Sequence, residues 1–205
     1  MLENVFNRLM RRDSHSQIEA QLHFDEGMRL AALGLYPRAI TELKLATRTD
    51  PNHAEARVEL GFSYQKVGQR SKAVKAYLSA LEIHPNLVTA HKRLGAAYDE
   101  LGEFVKALKV YAKAIVLAPK DADLRNDLGL VYFNIGSYSE AIKAFKQALK
   151  LEPESARAHY CLGLVYLDLG NLKLALAEHD QLSGRNEKHL ALELLDKIQS
   201  QRRQA

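Results

Sequence analysis

The sequence predicts an all-α fold made of stacked helix–turn–helix units. Three series of residues share one 34-residue period and indicate this fold. The glycines of one series are Gly34, Gly68, Gly102, Gly136 and Gly170. The glycines of a second series are Gly27, Gly61, Gly95, Gly129 and Gly163. The prolines of the third series are Pro51, Pro85, Pro119 and Pro153. A fixed period of this length is typical of repeat proteins, in which each unit packs on its neighbours.

Each series predicts one element of the unit. The glycines of the first series follow the first helix, where a left-handed residue ends the helix. The glycines of the second series lie inside the first helix, where a bare Cα lets a neighbouring helix approach closely. Large residues of both helices are predicted to fill the facing space. They are Tyr64, Tyr98, Tyr132 and Tyr166 on the first helices and Tyr77, Tyr111 and Phe145 on the second helices. The prolines stop the second helix and direct the chain into the next unit.

The best-preserved unit carries a recognisable pattern. Its repeated residues are Leu128, Gly129, Tyr132, Ala141, Phe145, Ala148 and Pro153. The chain resembles the tetratricopeptide repeat (TPR) family in these positions. The resemblance implies a right-handed superhelix, or α-solenoid, and covers residues 20–189. The five units are 20–53, 54–87, 88–121, 122–155 and 156–189.

The units depart from the family pattern at defined places. The middle three lack the bulky residue expected at unit position 4 and carry Arg57, His91 and Arg125 instead. We expect these residues to fill part of the same space. The first unit has Glu26 for leucine, and the fifth has His179 for the aromatic residue of its second helix. Such decay is expected of terminal repeats that face solvent.

Two segments flank the repeats. Residues 1–15 form an amphipathic segment whose apolar residues share one helical stripe, namely Leu2, Val5, Phe6, Leu9 and Met10. We expect Asp13, Ser14 and Ser16 to break this helix, with Ser16 capping the next one. Residues 187–203 are predicted to form a helix that caps the last repeat and overlaps its end. Leu190, Leu194, Leu195 and Ile198 lie on one face of this helix.

The sequence offers no constellation for catalysis, so we expect no enzyme, no catalytic residue, no cofactor and no metal. His23, His91 and His159 recur in alternate units, too far apart to share one ion. Cys161 cannot form an internal disulfide. No apolar run approaches the roughly 20 residues of a spanning helix, and no secretory signal is apparent. We expect a cytoplasmic protein, or one peripheral to a membrane or an assembly.

The TPR resemblance implies a partner-binding groove on the concave face, lined by the first helices. Carried over position by position, the groove residues with binding potential are Phe24, Met28, Val58, Phe62, Lys92, Asn126, Leu130, Phe133, Arg157, Tyr160 and Leu164. The large apolar members of this set predict a protein or peptide partner, such as an apolar helix, and Lys92, Asn126 and Arg157 could hold an acidic group of that partner. The alternative is that curvature or the chain's own termini bury them. The two-carboxylate clamp of chaperone-tail binders is not preserved, because Ala96 and Asp127 occupy positions that require asparagine.

The net charge of +4 and the lysines of the second helices permit acidic partners. Lys72, Lys75, Lys109 and Lys143 belong to a basic ridge on the convex side. A solvated surface, an anionic membrane or an acidic protein would each explain it, and nucleic acid is disfavoured because no aromatic residues accompany it. The N-terminal segment either folds back on the repeats, docks into a neighbour's groove to give a homo-oligomer, or contacts a membrane peripherally. A self-assembling structural scaffold is therefore the alternative function.

Overall fold

A computed structural model describes the backbone of residues 2–184 and 187–204 and the side chains of residues 15–184 and 187–203. Within these ranges the chain is helical apart from short turns and contains no β-strand. The eleven helices of the described ranges are α1 (Leu2–Ala32), α2 (Tyr36–Thr49), α3 (Ala54–Lys66), α4 (Arg70–Ile83), α5 (Val88–Glu100), α6 (Phe104–Leu117), α7 (Ala122–Asn134), α8 (Tyr138–Leu151), α9 (Ala156–Asp168), α10 (Leu172–Ser183) and α11 (Lys188–Gln204).

The first glycine series ends the first helices as expected. Its five members have φ between 71° and 77°, in the left-handed region that side chains disfavour. The turn at Gly102 shows how such a glycine ends a helix. Its amide donates to the Asp99 carbonyl at 2.9 Å, and the Glu103 amide donates to the Tyr98 carbonyl at 2.8 Å. These bonds satisfy carbonyls that the end of α5 would otherwise leave open.

The chain also divides into two larger compact parts, each of which contains several of the 34-residue repeats. These two parts are called unit 1 and unit 2 from here on, whereas "unit position" still refers to a place within one repeat. Unit 1 is Met1–Glu103 and contains α1 to α5. Its helices pack in order along the chain, with α1 on α2 and α3 on α4. Leu43 and Tyr77 are fully buried second-helix residues. A Cβ on Gly61 would lie 2.5 Å from Cε1 of Tyr77, and one on Gly27 would lie 2.7 Å from Cγ of Leu43. The second glycine series is thus needed for close helix packing.

Unit 2 is Phe104–Ala205 and contains α6 to α11. Here α7 packs on α8, and α9 on α10. Phe145 of α8 is fully buried, and a Cβ on Gly129 would lie 2.6 Å from its Cε1. Leu162 and Val165 of α9 belong to the same apolar core. The packing rule of unit 1 therefore repeats in unit 2.

Helix α11 completes the decayed fifth repeat. Its Leu194 and Ile198 are fully buried, and a Cβ on Gly163 would lie 2.5 Å from Cδ2 of Leu194. In the repeat of Gly129 this space is filled from its own second helix, but the corresponding residue here is His179. Helix α11 thus supplies the apolar side chain that α10 lacks.

Helix α1 differs from the expectation for the N-terminus. It runs without interruption from Leu2 to Ala32, so the break expected at Asp13, Ser14 and Ser16 is absent and Ser16 does not begin a helix. Serine and aspartate cost less than about 1 kcal/mol each inside a helix, and the cap they offer is used only where the backbone turns. The predicted apolar stripe of residues 2–10 lies outside the described side chains.

The residues at unit position 4 do more than fill space. His91 Nε2 lies 2.8 Å from the Pro85 carbonyl oxygen. The ring of His159 lies 3.1 Å from the Pro153 carbonyl oxygen and 2.6 Å from a carboxylate oxygen of Glu178. The contacts with the proline carbonyls tie the first turns of α5 and α9 to the turns before them, and the Glu178 contact ties α9 to α10. His91 and His159 thus form contacts with the preceding turn that a bulky apolar residue could not form, whereas Arg57 donates to Ser79 of α4.

Candidate functional site

The first helices of the repeats are α1, α3 and α5 in unit 1 and α7 and α9 in unit 2, and the face they present is called the first-helix surface of that unit. Phe62 is the centre of this surface in unit 1. Its half-buried ring meets the Tyr36 ring edge-on, with centroids 6.2 Å apart and planes at 85°. The Arg93 guanidinium lies 4.2 Å from the Phe62 centroid, and Lys66 Nζ lies 5.1 Å from it. Glu59 fixes Arg93 through a contact of 3.2 Å. Cations are attracted to aromatic faces, so Phe62 combines an apolar ring with a basic rim.

The other predicted residues of unit 1 differ in exposure. Met28 is 39% exposed, and Lys92 is half-buried. The half-buried ring of Phe24 stacks at a tilt on His53, with centroids 4.8 Å apart. Val58 is only 3% exposed. Val58 lies at unit position 5 on α3, where the side chain faces the interior of unit 1. The prediction that Val58 contacts a partner is therefore corrected.

The first-helix surface of unit 2 contains a second aromatic centre. The rings of Phe133 and Tyr138 are tilted, with centroids 5.9 Å apart. Partly buried predicted residues that pack against the core of this unit are Leu130, Phe133, Tyr160 and Leu164. The Tyr160 hydroxyl donates to the Glu193 carboxylate of α11. Burial and that carboxylate both raise the pKa of Tyr160, so the hydroxyl remains a donor.

Arg157 joins α9 to α7 within unit 2. Its Nη2 donates to Asp127 Oδ1 at 2.6 Å, and its Nη1 lies 4.0 Å from Asp123 Oδ1. Partial burial alone lowers the pKa of Arg157, but Asp127 and Asp123 raise it by more, so the guanidinium stays charged. The Arg157 side chain is 44% exposed. A guanidinium carries five donors, so Arg157 can also bind a carboxylate from outside.

Asn126 is the second predicted groove residue that the structure buries. It is fully buried, and neither atom of its side-chain amide has a hydrogen-bond partner within the described residues. The expectation that Asn126 meets a partner is therefore corrected in the same way as that for Val58, the corresponding residue of the second repeat. Both lie at unit position 5, which faces the protein interior at these two sites.

Cys161 lies in the core beside the unit 2 surface. Burial raises the pKa of its thiol to about 11, Arg157 lowers it, and Asp127 raises it. At pH 8 we therefore expect the folded chain to react with a thiol-alkylating reagent ~100-fold more slowly than the chain in urea, because few thiolates form. The measurement is the alkylation rate by mass spectrometry. Equal rates in a chain that keeps its helical content would contradict a buried thiol.

Sequence reasoning did not find every member of these surfaces. Tyr36 and His53 were missed, because Tyr36 begins α2 and His53 caps α3, and each contacts an aromatic ring of another helix. A position at the start of a helix carries no signal for a contact with a residue far away in the chain. The proximity of Arg93 to Phe62 is likewise a long-range contact between α5 and α3.

Metal sites and membrane spans are two further features that would indicate function. Among the described residues, no group of three or more histidine, cysteine or acidic side chains is arranged to hold a metal ion. In the same part of the chain, no helix combines the length and apolar character required to cross a membrane.

The fold is that of a repeat protein, and its first helices carry both apolar and charged side chains. These features are typical of the class of protein-interaction scaffolds. A family model described as TPR repeat matches residues 97–136 and 129–170. A second, described as tetratricopeptide repeat, matches residues 54–87. These matches together cover more than half of the chain, and the chain belongs to the TPR family. Members of this family are typically non-enzymatic scaffolds for protein or peptide partners.

Solved structures agree with this assignment. A crystal structure of MamA protein is 26% identical, with 89% of this chain and 94% of that chain covered and a TM-score of 0.70. MamA 41-end from Desulfovibrio magneticus RS-1 is 25% identical, covering 91% and 96%, with a TM-score of 0.69. TTC0263, a thermophilic TPR protein in Thermus thermophilus, is 26% identical, covering 87% and 98%, with a TM-score of 0.72. No curated protein matches the chain. The predicted fold class, an all-α TPR solenoid, is confirmed.

Proposed function

We propose that this protein binds an amphipathic helix or peptide of a partner on the first-helix surfaces of its two units. Two half-buried aromatic rings, Phe62 and Phe133, carry this proposal. Both stand on first helices, and neither belongs to the fully buried core of its unit. Aromatic residues, including phenylalanine, are enriched at protein interfaces relative to the rest of the surface.

The charges around the rings indicate the chemistry of the partner. In unit 1, Arg93 and Lys66 lie over Phe62. In unit 2, Arg157 lies on the same helix as Tyr160 and Leu164 and is partly exposed. A partner that inserts apolar side chains and places carboxylates next to them would complement both surfaces. We therefore infer an apolar peptide or helix with acidic flanking residues.

The test is a capture experiment with the double variant Phe62→Glu and Phe133→Glu. We expect the variant to lose the partner that the wild-type chain retains, because the two carboxylates would repel the partner's acids and remove both apolar anchors. The cations beside Phe62 would accommodate the new charge there, so helical content measured by circular dichroism should be unchanged. The captured proteins are compared by quantitative mass spectrometry.

A matched control carries the same charge change elsewhere. Leu78 of α4 and Val116 of α6 are apolar residues of second helices, 41% and 75% exposed. The double variant Leu78→Glu and Val116→Glu should retain the partner. Capture that survives in the aromatic variant, or is lost equally in the control, would refute the proposed surfaces.

Self-assembly is the second candidate, and two residues of α1 favour it. Ile18 is 61% exposed and Leu22 is 65% exposed. They stand four residues apart on one side of the helix. Helix α1 begins well before the repeat, which starts at residue 20. An exposed apolar pair on such a helix could dock into the surface of a second copy.

The oligomeric state decides between the two candidates. If α1 drives assembly, the full chain should be larger than a monomer by light scattering, and Ile18→Glu with Leu22→Glu should reduce it to a monomer. Leu192→Glu provides the control, because Leu192 of α11 is 66% exposed. A monomeric wild-type chain would refute self-assembly and leave partner capture to the first-helix surfaces.

A further inference from the structure

A cleft between α2 and α4 of unit 1, with α3 as its floor, has no role in the proposed function. We name it the α2–α4 cleft. It has two lobes, of about 250 Å³ and 340 Å³. Tyr64 and Lys72 line both lobes, so the lobes adjoin. Their size is close to the lower end of small-molecule sites.

The charge of the α2–α4 cleft is one-sided. Its basic residues are Lys44, Arg57, Lys72 and Lys75, and neither lobe is lined by a carboxylate among the described residues. Lys44 Nζ and Lys72 Nζ lie 5.9 Å and 5.6 Å from the centroid of the Tyr64 ring. Two ammonium groups on one ring repel each other unless solvent or an anion screens them.

Arg57 adds a charge that no acid neutralises in the cleft, as far as the described residues extend. Its Nε donates to the Ser79 hydroxyl at 3.0 Å. Its Nη1 is buried and has no hydrogen-bond partner in the described part of the chain. The Ser79 hydroxyl accepts from Arg57 and keeps its own proton to donate. Thr47 lines the same lobe, but its hydroxyl already donates to the Lys44 carbonyl at 3.1 Å.

The repeats of unit 2 indicate that packing does not require these cations. Three repeats after Lys72 and Lys75 the chain has Leu174 and Ala177. At the position of Arg57 that repeat has His159, which contacts Glu178. The same fold therefore tolerates neutral residues at these positions.

The fourth repeat shows a different solution. Two repeats after Lys72 the chain has Glu140, which lies 3.9 Å from Lys143. Here an acid accompanies the base, so the local charge is balanced. The third repeat, in contrast, keeps both lysines of α4 as Lys106 and Lys109, so those two charges belong to the repeat. The α2–α4 cleft differs because Lys44 and Arg57 join them, and no other repeat places four bases at these positions.

We propose that the α2–α4 cleft binds the phosphate group of a small phosphate ester. Lysine and arginine side chains are the usual protein ligands of phosphate, and the Ser79 hydroxyl adds a neutral donor. The rest of the ligand lies along the apolar lining, which comprises Pro37, Ile40, Leu60, Tyr64, Val67 and Ala76. The assignment is independent of the first-helix surfaces.

The experiment titrates the full chain with phenyl phosphate and, separately, with inorganic phosphate, and follows binding by calorimetry. We expect saturable binding of both, with phenyl phosphate tighter because its ring gains apolar contact. The variant Lys72→Ala with Lys75→Ala should weaken phenyl phosphate about tenfold or more, as expected for loss of charge-assisted hydrogen bonds. Both lysines are exposed, so the fold should be retained.

The matched control removes two lysines from α8. Lys143→Ala with Lys146→Ala makes the same change of net charge and should bind phenyl phosphate like the wild type. Arg57→Gln provides a second site variant, with circular dichroism to verify its fold, and should also weaken binding. Absence of saturable binding, or equal weakening in the site and control variants, would overturn the proposal. Inorganic phosphate that binds as tightly as phenyl phosphate would overturn the assignment to an ester.

Discussion

Replacing Phe145 with alanine is expected to lower the free energy of unfolding by about 3–5 kcal/mol. Phe145 is fully buried in α8 and occupies the space over Gly129 of α7, where even a Cβ would lie 2.6 Å away. Alanine at position 145 would leave a cavity between α7 and α8, because Gly129 on the facing helix has no side chain to fill it. The loss should exceed that of any surface substitution in the chain.

The measurement is urea unfolding of the full chain, followed by circular dichroism at helical wavelengths. Because repeat arrays can unfold in stages, the transition of unit 2 is the relevant one. Leu192→Ala, at a side chain that is 66% exposed, is the control and should change stability by less than about 0.5 kcal/mol. A loss of less than about 1 kcal/mol for Phe145→Ala would mean that α7 and α8 do not pack through this residue.

Replacing Asn126 with valine is expected to stabilise the protein by about 1–3 kcal/mol. Its amide is fully buried, and both polar atoms lack partners among the described residues. A buried polar group that forms no hydrogen bond retains the full cost of leaving water. Valine occupies the corresponding position in the second repeat as Val58, which is also buried.

The reciprocal variant Val58→Asn is the control for Asn126→Val. This variant should lower the free energy of unfolding, because it places an amide where a buried apolar side chain now stands. Thermal and urea unfolding of both variants measure the two effects. Asn126→Val should leave partner capture unchanged, since the side chain is not accessible. A destabilised Asn126→Val variant would show that the amide forms bonds that stabilise the fold.

The sequence was sufficient for the repeat because its signals are local. A glycine such as Gly102 specifies its own φ, and a proline such as Pro119 stops its own helix. Gly129 and Phe145 keep the same spacing as Gly61 and Tyr77, so one packing rule applies to both pairs. The continuity of α1 was not predictable in this way, because Ser16 is a good cap only if the backbone turns there.

The candidate site was less accessible to sequence reasoning, because it depends on contacts between helices. The resemblance to the family placed Phe62 on a first helix, but not Arg93 over its ring. It also assigned Val58 and Asn126 to the groove, since unit position alone does not give the depth of a side chain. Burial depends on the residues of the neighbouring helix, which differ from one repeat to the next.

Site-specific photo-crosslinking tests the central claim, that the first-helix surfaces hold the partner. A benzophenone amino acid replaces Met28 in unit 1 or Arg157 in unit 2, both partly exposed, and the controls carry it at Leu78 or Val116 on second helices. After irradiation in the host cell, Met28 and Arg157 should give the same crosslinked partner, and the controls should not. Crosslinks to that partner from the second helices alone would contradict the account.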